Sequence, residues 1–181
     1  GSGYQIAQTQ PLQLAAVEGL YEGGTNVGLV GIGMLNPEKK TYNDGKDPFL
    51  FRIEIPSMLS FLAERDVDGY VPGITNIIEG GYQLKDGTTA LSAAEKIERG
   101  KTAIGALAAY RAAKSAGHEE DAAVAYQVLQ ENMPYFGYGY IKDVNQLVPN
   151  VPLNFYAFRI MVILGGYFIL FFIVVLFFIY K

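Results

Sequence analysis

Apolar side chains are concentrated at one end of this chain, where residues 160–180 form a run of 21 positions without a charge. At about 1.5 Å per helical residue the run extends roughly 31 Å, close to the thickness of the hydrocarbon core of a bilayer. Residues 1–150 contain no comparable stretch. The pattern predicts a polar body followed by one transmembrane helix.

Within the polar body, two short stretches have the pattern of β-strands. Apolar residues and glycines fill residues 27–35, and residues 48–55 alternate with charges before Pro56. We expect an antiparallel pair of strands joined by a polar loop. Residues 9–24 predict a short helix that Thr9 caps, with Pro11 in its first turn and glycines at its end.

Helical signals return in the second half of the polar body. Ser92 and Glu95 have the spacing of a capping box, and Gly117 marks a helix end. A second helix is predicted over residues 119–132, where three acidic residues favour the positive end of the helix dipole.

These elements define an α+β membrane-protein fragment, with a mainly helical extracytoplasmic loop region, a small β-hairpin and one transmembrane α-helix. We divide the chain into an N-terminal helical segment (residues 1–24), a hydrophilic loop region (25–151) and the membrane helix (152–181).

Charge and composition narrow the classes of function. All 18 acidic residues but only 12 of the 14 basic ones precede residue 152, which gives the polar part a formal charge of −6. This sign argues against nucleic acid as a partner. The chain has no cysteine and one histidine, His118, so neither a thiolate site nor a two-histidine metal site is expected within it. The acidic body and Lys181 at the far end of the membrane helix favour a body outside the cytoplasm.

Glu18 is a candidate for proton chemistry because it interrupts an apolar helical run. A carboxylate on an apolar face has a raised pKa, which suits a proton acceptor near neutral pH. Periodicity alone favours the alternative, an amphipathic helix with Glu18 facing water. Gln13 lies five residues earlier, about 140° around a regular helix, so both side chains could flank a ligand.

Arg159 is the only charge between Pro152 and Tyr180. At the helix entrance it could serve as an anchor to lipid headgroups. Met161 follows two positions later, and by itself is typical of a lipid-facing or packing side chain.

Five segments of the chain carry recognisable motifs: GYQIAQTQPLQLAAVE (3–18), FRIEIP (51–56), DVDGYVPGI (66–74), GYGY (137–140) and VPLNFYAFRIM (151–161). In this order they resemble subunit I of the cytochrome bd quinol oxidase family. The first segment resembles the start of the external quinol-binding loop of that family, and the next two resemble its continuation. The last two resemble the end of the loop and the entry into the following membrane helix.

The resemblance implies roles for four residues. Met161 matches the methionine ligand of a low-spin haem b, whose histidine ligand lies on a helix outside this chain. Arg159 matches an arginine near that haem. Glu18 matches a glutamate that binds quinol and takes its proton, and Gln13 stands where the family usually has a lysine. Glutamine can hydrogen-bond a quinone carbonyl but supplies no positive charge.

The resemblance also implies a respiratory enzyme of the bacterial plasma (inner) membrane, with the loop on the periplasmic side. Ubiquinol or menaquinol would give its electrons to haem b on the way to reduction of oxygen to water. Further haems b and d, a second subunit and the other helices of subunit I would complete the complex, and the fragment alone is not expected to be active. The alternative is a non-enzymatic extracytoplasmic binding or scaffold domain tethered by its membrane helix.

Overall fold

The computed structural model of the protein describes residues 2–180. It contains two compact units. The first comprises the described residues up to 75 together with those from 149 onward, and we call it the loop unit; the second, residues 76–148, is the helical unit. The elements in chain order are α1 (Ser2–Thr9), α2 (Pro11–Glu18), β1 (Leu29–Leu35), β2 (Phe49–Ile55), α3 (Met58–Glu64), α4 (Ile74–Glu79), α5 (Ala93–Ala116), α6 (Glu119–Asn132), two 3₁₀ helices (Met133–Tyr140 and Val144–Leu147) and α7 (Val151–Tyr180).

The N-terminal helix differs from the prediction, since residues 2–18 form two short helices. Gln10, the residue before Pro11, has a non-helical backbone (φ −140°, ψ 62°), because the proline ring disfavours the helical conformation at the preceding position. Thr9 therefore ends α1, where its hydroxyl donates to the carbonyl of Gln5, and its predicted capping role is wrong. Pro11 occupies the first turn of α2, as predicted, but α2 ends at Glu18 with Gly19 as its C-cap, earlier than expected.

A small core holds the three N-terminal helices of the loop unit together. Its buried residues come from α3 and the segment after it, and half-buried apolar side chains from α1, α2, the following loop and the start of β1 pack against them. The buried members are Leu59, Ala63 and Val71; the half-buried ones are Ala7, Leu14, Leu20, Val27 and Leu29.

The predicted β-hairpin is confirmed. β1 and β2 pair antiparallel, with Ile32 opposite Ile53 and Met34 opposite Phe51. A β-bulge lies on either side of these two pairs, and each bulge shifts the register by one residue.

The loop between the strands is ordered by a buried lysine. Lys39 pairs with Asp44 at 2.8 Å and lies over the ring of Tyr21. Asp44 also accepts backbone N–H groups from Lys40 and Lys46. These bonds to the ionised carboxylate hold the pKa of Asp44 well below its usual range.

The helical unit follows its sequence signals closely. Ser92 and Glu95 form the predicted capping box at the start of α5, and Gly117 ends that helix with a left-handed backbone. α6 has the predicted limits, and the imidazole of His118 before it is exposed and near Asp121. The chain thus contains both the predicted helices and the predicted pair of strands, and the α+β fold class is confirmed.

The last helix, α7, is long and apolar enough to cross a membrane. Its first turns belong to the packed part of the loop unit, where Val151 and Phe155 are buried. From Ile160 onward nearly every side chain is exposed in the described chain.

Candidate functional site

The guanidinium of Arg159 is the centre of the loop unit. Its Nη2 donates to Glu18 Oε2 at 3.1 Å and to the carbonyl of Val30 at 2.7 Å. Its Nη1 donates to the carbonyls of Val17 at 2.8 Å and Phe155 at 3.3 Å. One side chain thus joins the end of α2, strand β1 and the entrance of α7.

Arg159 is also stacked on an aromatic ring. The guanidinium carbon lies 3.5 Å from the ring centroid of Phe155, one helical turn earlier, a cation–π contact strengthened by exclusion of water. Phe155 is fully buried and its ring packs edge-on against Phe49 of β2, with centroids 5.5 Å apart. The arginine is thus held by protein, and the interpretation of Arg159 as an anchor to headgroups is not supported by this geometry.

Glu18 is buried, with 4 % of its surface exposed. The interpretation of a water-facing glutamate, which periodicity alone favoured, is therefore wrong. Helix α2 ends at this residue and Gly19 turns the chain with a φ of 62°, a backbone that glycine adopts without strain. Glu18 lies three positions after the buried Ala15, so both side chains are on the face of α2 that packs inward.

The charge state of Glu18 reflects two opposing effects. Burial raises the pKa of its carboxyl above the ordinary value, and the charge and hydrogen bond of Arg159 oppose that rise. The carboxyl therefore takes up a proton more readily than an exposed glutamate, in an environment that also tolerates the ionised form.

The structure brings together only two of the four predicted site residues. Gln13 is exposed on α2 while Glu18 is buried at its end, so they do not share a surface in the described chain. Met161 is 60 % exposed. Two helical positions separate it from Arg159, about 200° around the axis, so the two side chains point to opposite sides of α7.

Sequence reasoning missed the other contributors to the site. The spacing of four residues between Phe155 and Arg159 signals neighbours on one helix face, and could have indicated the stacked ring. The carbonyls of Val17 and Val30 carry no signal in the sequence, because any residue supplies a carbonyl.

Comparison with known proteins decides the family. A family model described as cytochrome bd terminal oxidase subunit I matches residues 1–181. The chain belongs to this family. It is also 28 % identical over 179 residues to cytochrome bd-II ubiquinol oxidase subunit 1 of Escherichia coli (strain K12). That match covers 91 % of this chain and 31 % of the relative, so the chain spans about a third of the length of the curated relative.

Cytochromes of this family are haem proteins, and among the four predicted site residues Met161 has a side chain whose chemistry suits a haem ligand. Met161 offers a soft thioether on an exposed side of α7, the kind of axial ligand that suits a low-spin haem. The Nε of Arg159 is buried without a hydrogen-bond partner in the described chain. His118, the single histidine, lies in the helical unit beside Asp121. The described residues contain no cluster of three or more His, Cys, Asp or Glu side chains suited to a metal ion.

Proposed function

We propose that this chain forms the external quinol-binding loop and the following haem-binding helix of a cytochrome bd quinol oxidase. In the complete complex, quinol would be oxidised at the periplasmic edge of the bacterial inner membrane. Its electrons would pass to a low-spin haem b and onward, through haems held outside this chain, to oxygen, which is reduced to water. The ordered resemblance over the whole chain and the family match support this function over that of a tethered scaffold domain.

The observation that carries the proposal is the buried ion pair between Glu18 and Arg159. It connects the loop residue assigned to quinol with the helix assigned to haem, across 141 positions of sequence. A buried charged pair costs desolvation energy that an apolar pair would avoid. The charged groups of this pair therefore suit a role in proton and electron chemistry.

Glu18 is the proton acceptor in this proposal. Burial raises the pKa of its carboxyl, which makes Glu18 a better proton acceptor than an exposed glutamate. Because the carboxyl is buried, a quinol hydroxyl reaches it only when the contact between α2 and α7 opens. Once Glu18 has taken the proton, the positive charge of Arg159 is no longer balanced by a carboxylate, which favours an electron arriving beside α7.

Met161 would hold haem b through its sulfur, and a histidine outside this chain would provide the second ligand. When bound, haem b supplies one-electron acceptor chemistry. Arg159 contributes a fixed positive charge two residues from that ligand. Gln13, exposed on α2, would hydrogen-bond a quinone oxygen without adding charge. The identity of the quinone, ubiquinol or menaquinol, is left open by these residues.

The role of Glu18 is tested by Glu18→Gln in the complete oxidase, with Glu22→Gln, an exposed glutamate four positions later, as the matched control. Loss of a proton acceptor should slow quinol oxidation by about 100-fold or more. Oxidation of an artificial donor that reduces the haem directly should change little. Equal slowing with both donors would assign Glu18 to folding instead.

The role of Met161 is tested by Met161→Leu, which replaces the thioether by an apolar side chain of similar volume. We expect the absorption of the low-spin haem to be lost while the subunit still inserts into the membrane. Met34→Leu, which changes an exposed methionine of the hairpin, should leave the spectrum intact. A Met161→Leu spectrum like that of the parent protein would remove Met161 from the ligand set.

A further inference from the structure

One side of the β-hairpin is apolar and uncovered in the described chain. Ile32 pairs with Ile53 and Met34 with Phe51, and cross-strand partners lie on the same side of a sheet. These four side chains are 55–65 % exposed. We call them the hairpin patch.

The opposite side of the hairpin packs against the membrane helix. Gly33 lies between the two patch residues of β1 and so faces the other way. A Cβ at Gly33 would lie 3.3 Å from the ring of Phe155. The hairpin patch therefore faces away from α7.

Two hydrogen bonds fix the level of the hairpin along α7. The Leu35 N–H donates to the Tyr156 hydroxyl at 3.0 Å, and the Val30 carbonyl accepts from Arg159 at 2.7 Å. Tyr156 and Arg159 are three residues apart, roughly 4.5 Å along the helix axis. Both contacts of the strand are therefore made near the entrance of α7, just before the apolar run that starts at Ile160.

The hydrocarbon core of the bilayer is an unfavourable environment for the hairpin patch. The described sheet has two strands, so each strand has an edge that no third strand covers. Unpaired backbone groups are strongly disfavoured in hydrocarbon, where no water can hydrogen-bond to them. At the helix entrance water can reach those edges, whereas four large apolar side chains gain by contact with protein.

A second copy of the chain is also a poor cover. Four side chains of this exposure present roughly 400 Å², about half of what one partner contributes to a stable interface between separate molecules. An area of this size suits docking within one polypeptide, where the partner surface is already tethered. The chain covers 31 % of its curated relative, which leaves more than two thirds of that length to supply it.

We propose that the hairpin patch docks against the extracytoplasmic ends of other membrane helices of the same subunit, outside these 181 residues. The patch would then fix the position of the loop unit beside its neighbours in the bundle. This inference follows from the hairpin and the family, and does not depend on Glu18 or Met161 having the roles proposed above.

The test uses the full-length subunit in its assembled complex, with a nitroxide spin label on a cysteine at Ile32 or Ile53. These 181 residues contain no native cysteine, and Glu38→Cys, in the exposed loop of the same hairpin, is the matched control. Collision with oxygen, which concentrates in lipid, and with a water-soluble nickel chelate reports the surroundings of each label.

Docking on protein predicts that both collision rates fall about fivefold or more below those of the Glu38→Cys label, as for a residue in an interface core. If the cysteine of Ile53→Cys resists labelling while that of Glu38→Cys reacts fully, this result also supports docking on protein. High oxygen collision with low nickel collision would show lipid or an isoprenoid tail on the patch and overturn the proposal. High nickel collision would show a free surface and also overturn it.

A second variant tests the proposal without a spin label, since the label itself can disturb assembly. Ile53→Asn should lower the yield of assembled complex severalfold, because an amide would be buried without partners, while Glu38→Asn should not. Equal yields from the two variants would contradict docking.

Discussion

The loop unit and the helical unit of this chain are stabilised by contacts of different range. In the helical unit, α5 begins with a capping box made by residues three positions apart and ends at a glycine. In the loop unit, the central contact joins Arg159 to Glu18, which are 141 positions apart. Local signals therefore account for the ends of α5, whereas a long-range ion pair lies at the centre of the loop unit.

This difference has a consequence for function. In the loop unit, the end of α2 and strand β1 are both joined to α7 by hydrogen bonds from Arg159. The proposed quinol site thus depends on correct placement of the membrane helix. Substitutions at the centre of the loop unit should affect both its stability and its chemistry.

The largest effect on stability is expected from Arg159→Met. The substitution leaves the Glu18 carboxyl buried without its cation, and breaking a buried pair in this way costs about 3–5 kcal/mol. The measurement is the free energy of local opening of α2, from native-state hydrogen exchange on the intact subunit.

The matched control is Arg52→Met on β2, whose guanidinium is half exposed and lies 3.6 Å from Glu54. An exposed pair contributes about 1 kcal/mol or less. If both arginine variants destabilise α2 to the same extent, the ion pair of Arg159 does not hold the loop unit together.

A smaller and separate effect is expected from Gly100→Ala in α5. A Cβ at this position would lie 2.3 Å from the backbone nitrogen of Gly139, so α5 and the 3₁₀ helix Met133–Tyr140 would have to move apart, at a cost of about 1–3 kcal/mol. Hydrogen exchange should show the loss in α5 and leave the protection of α2 unchanged.

Gly105→Ala in the same helix is its control. No atom lies within 4 Å of a Cβ at Gly105, and replacing glycine by alanine inside a helix is stabilising by roughly 0.5–1 kcal/mol. Destabilisation of α2 by Gly100→Ala would show that the two units do not respond independently.

The same contrast explains what could be predicted from the sequence. The limits of α6, the capping box of α5 and the two strands followed from local patterns, because their determinants lie within a few residues. The pairing of Glu18 with Arg159 could not be predicted from such patterns, since the local sequence around each residue does not indicate its distant partner. Family resemblance singled out both residues but did not indicate that they touch.

Two features of the N-terminal segment, the helix break at Gln10 and the burial of Glu18, differ from the prediction. Pro11 disfavours the helical backbone conformation at Gln10, so the break between α1 and α2 could have been predicted from the sequence. Glu18 is buried because it shares the inward face of α2 with Ala15. Which face of α2 packs inward depends on its contacts with α7, and could not be predicted from local patterns.

The most direct test of the account is whether Glu18 and Arg159 act as one unit in quinol oxidation. The rate of haem reduction by quinol is measured by rapid mixing in the complete oxidase with Glu18→Gln, with Arg159→Gln and with both substitutions. We predict that Glu18→Gln lowers this rate by about 100-fold or more and Arg159→Gln by about tenfold or more, and that the double variant is no slower than the slower single variant. A double variant slowed by the product of the two single effects would contradict a shared role of the pair.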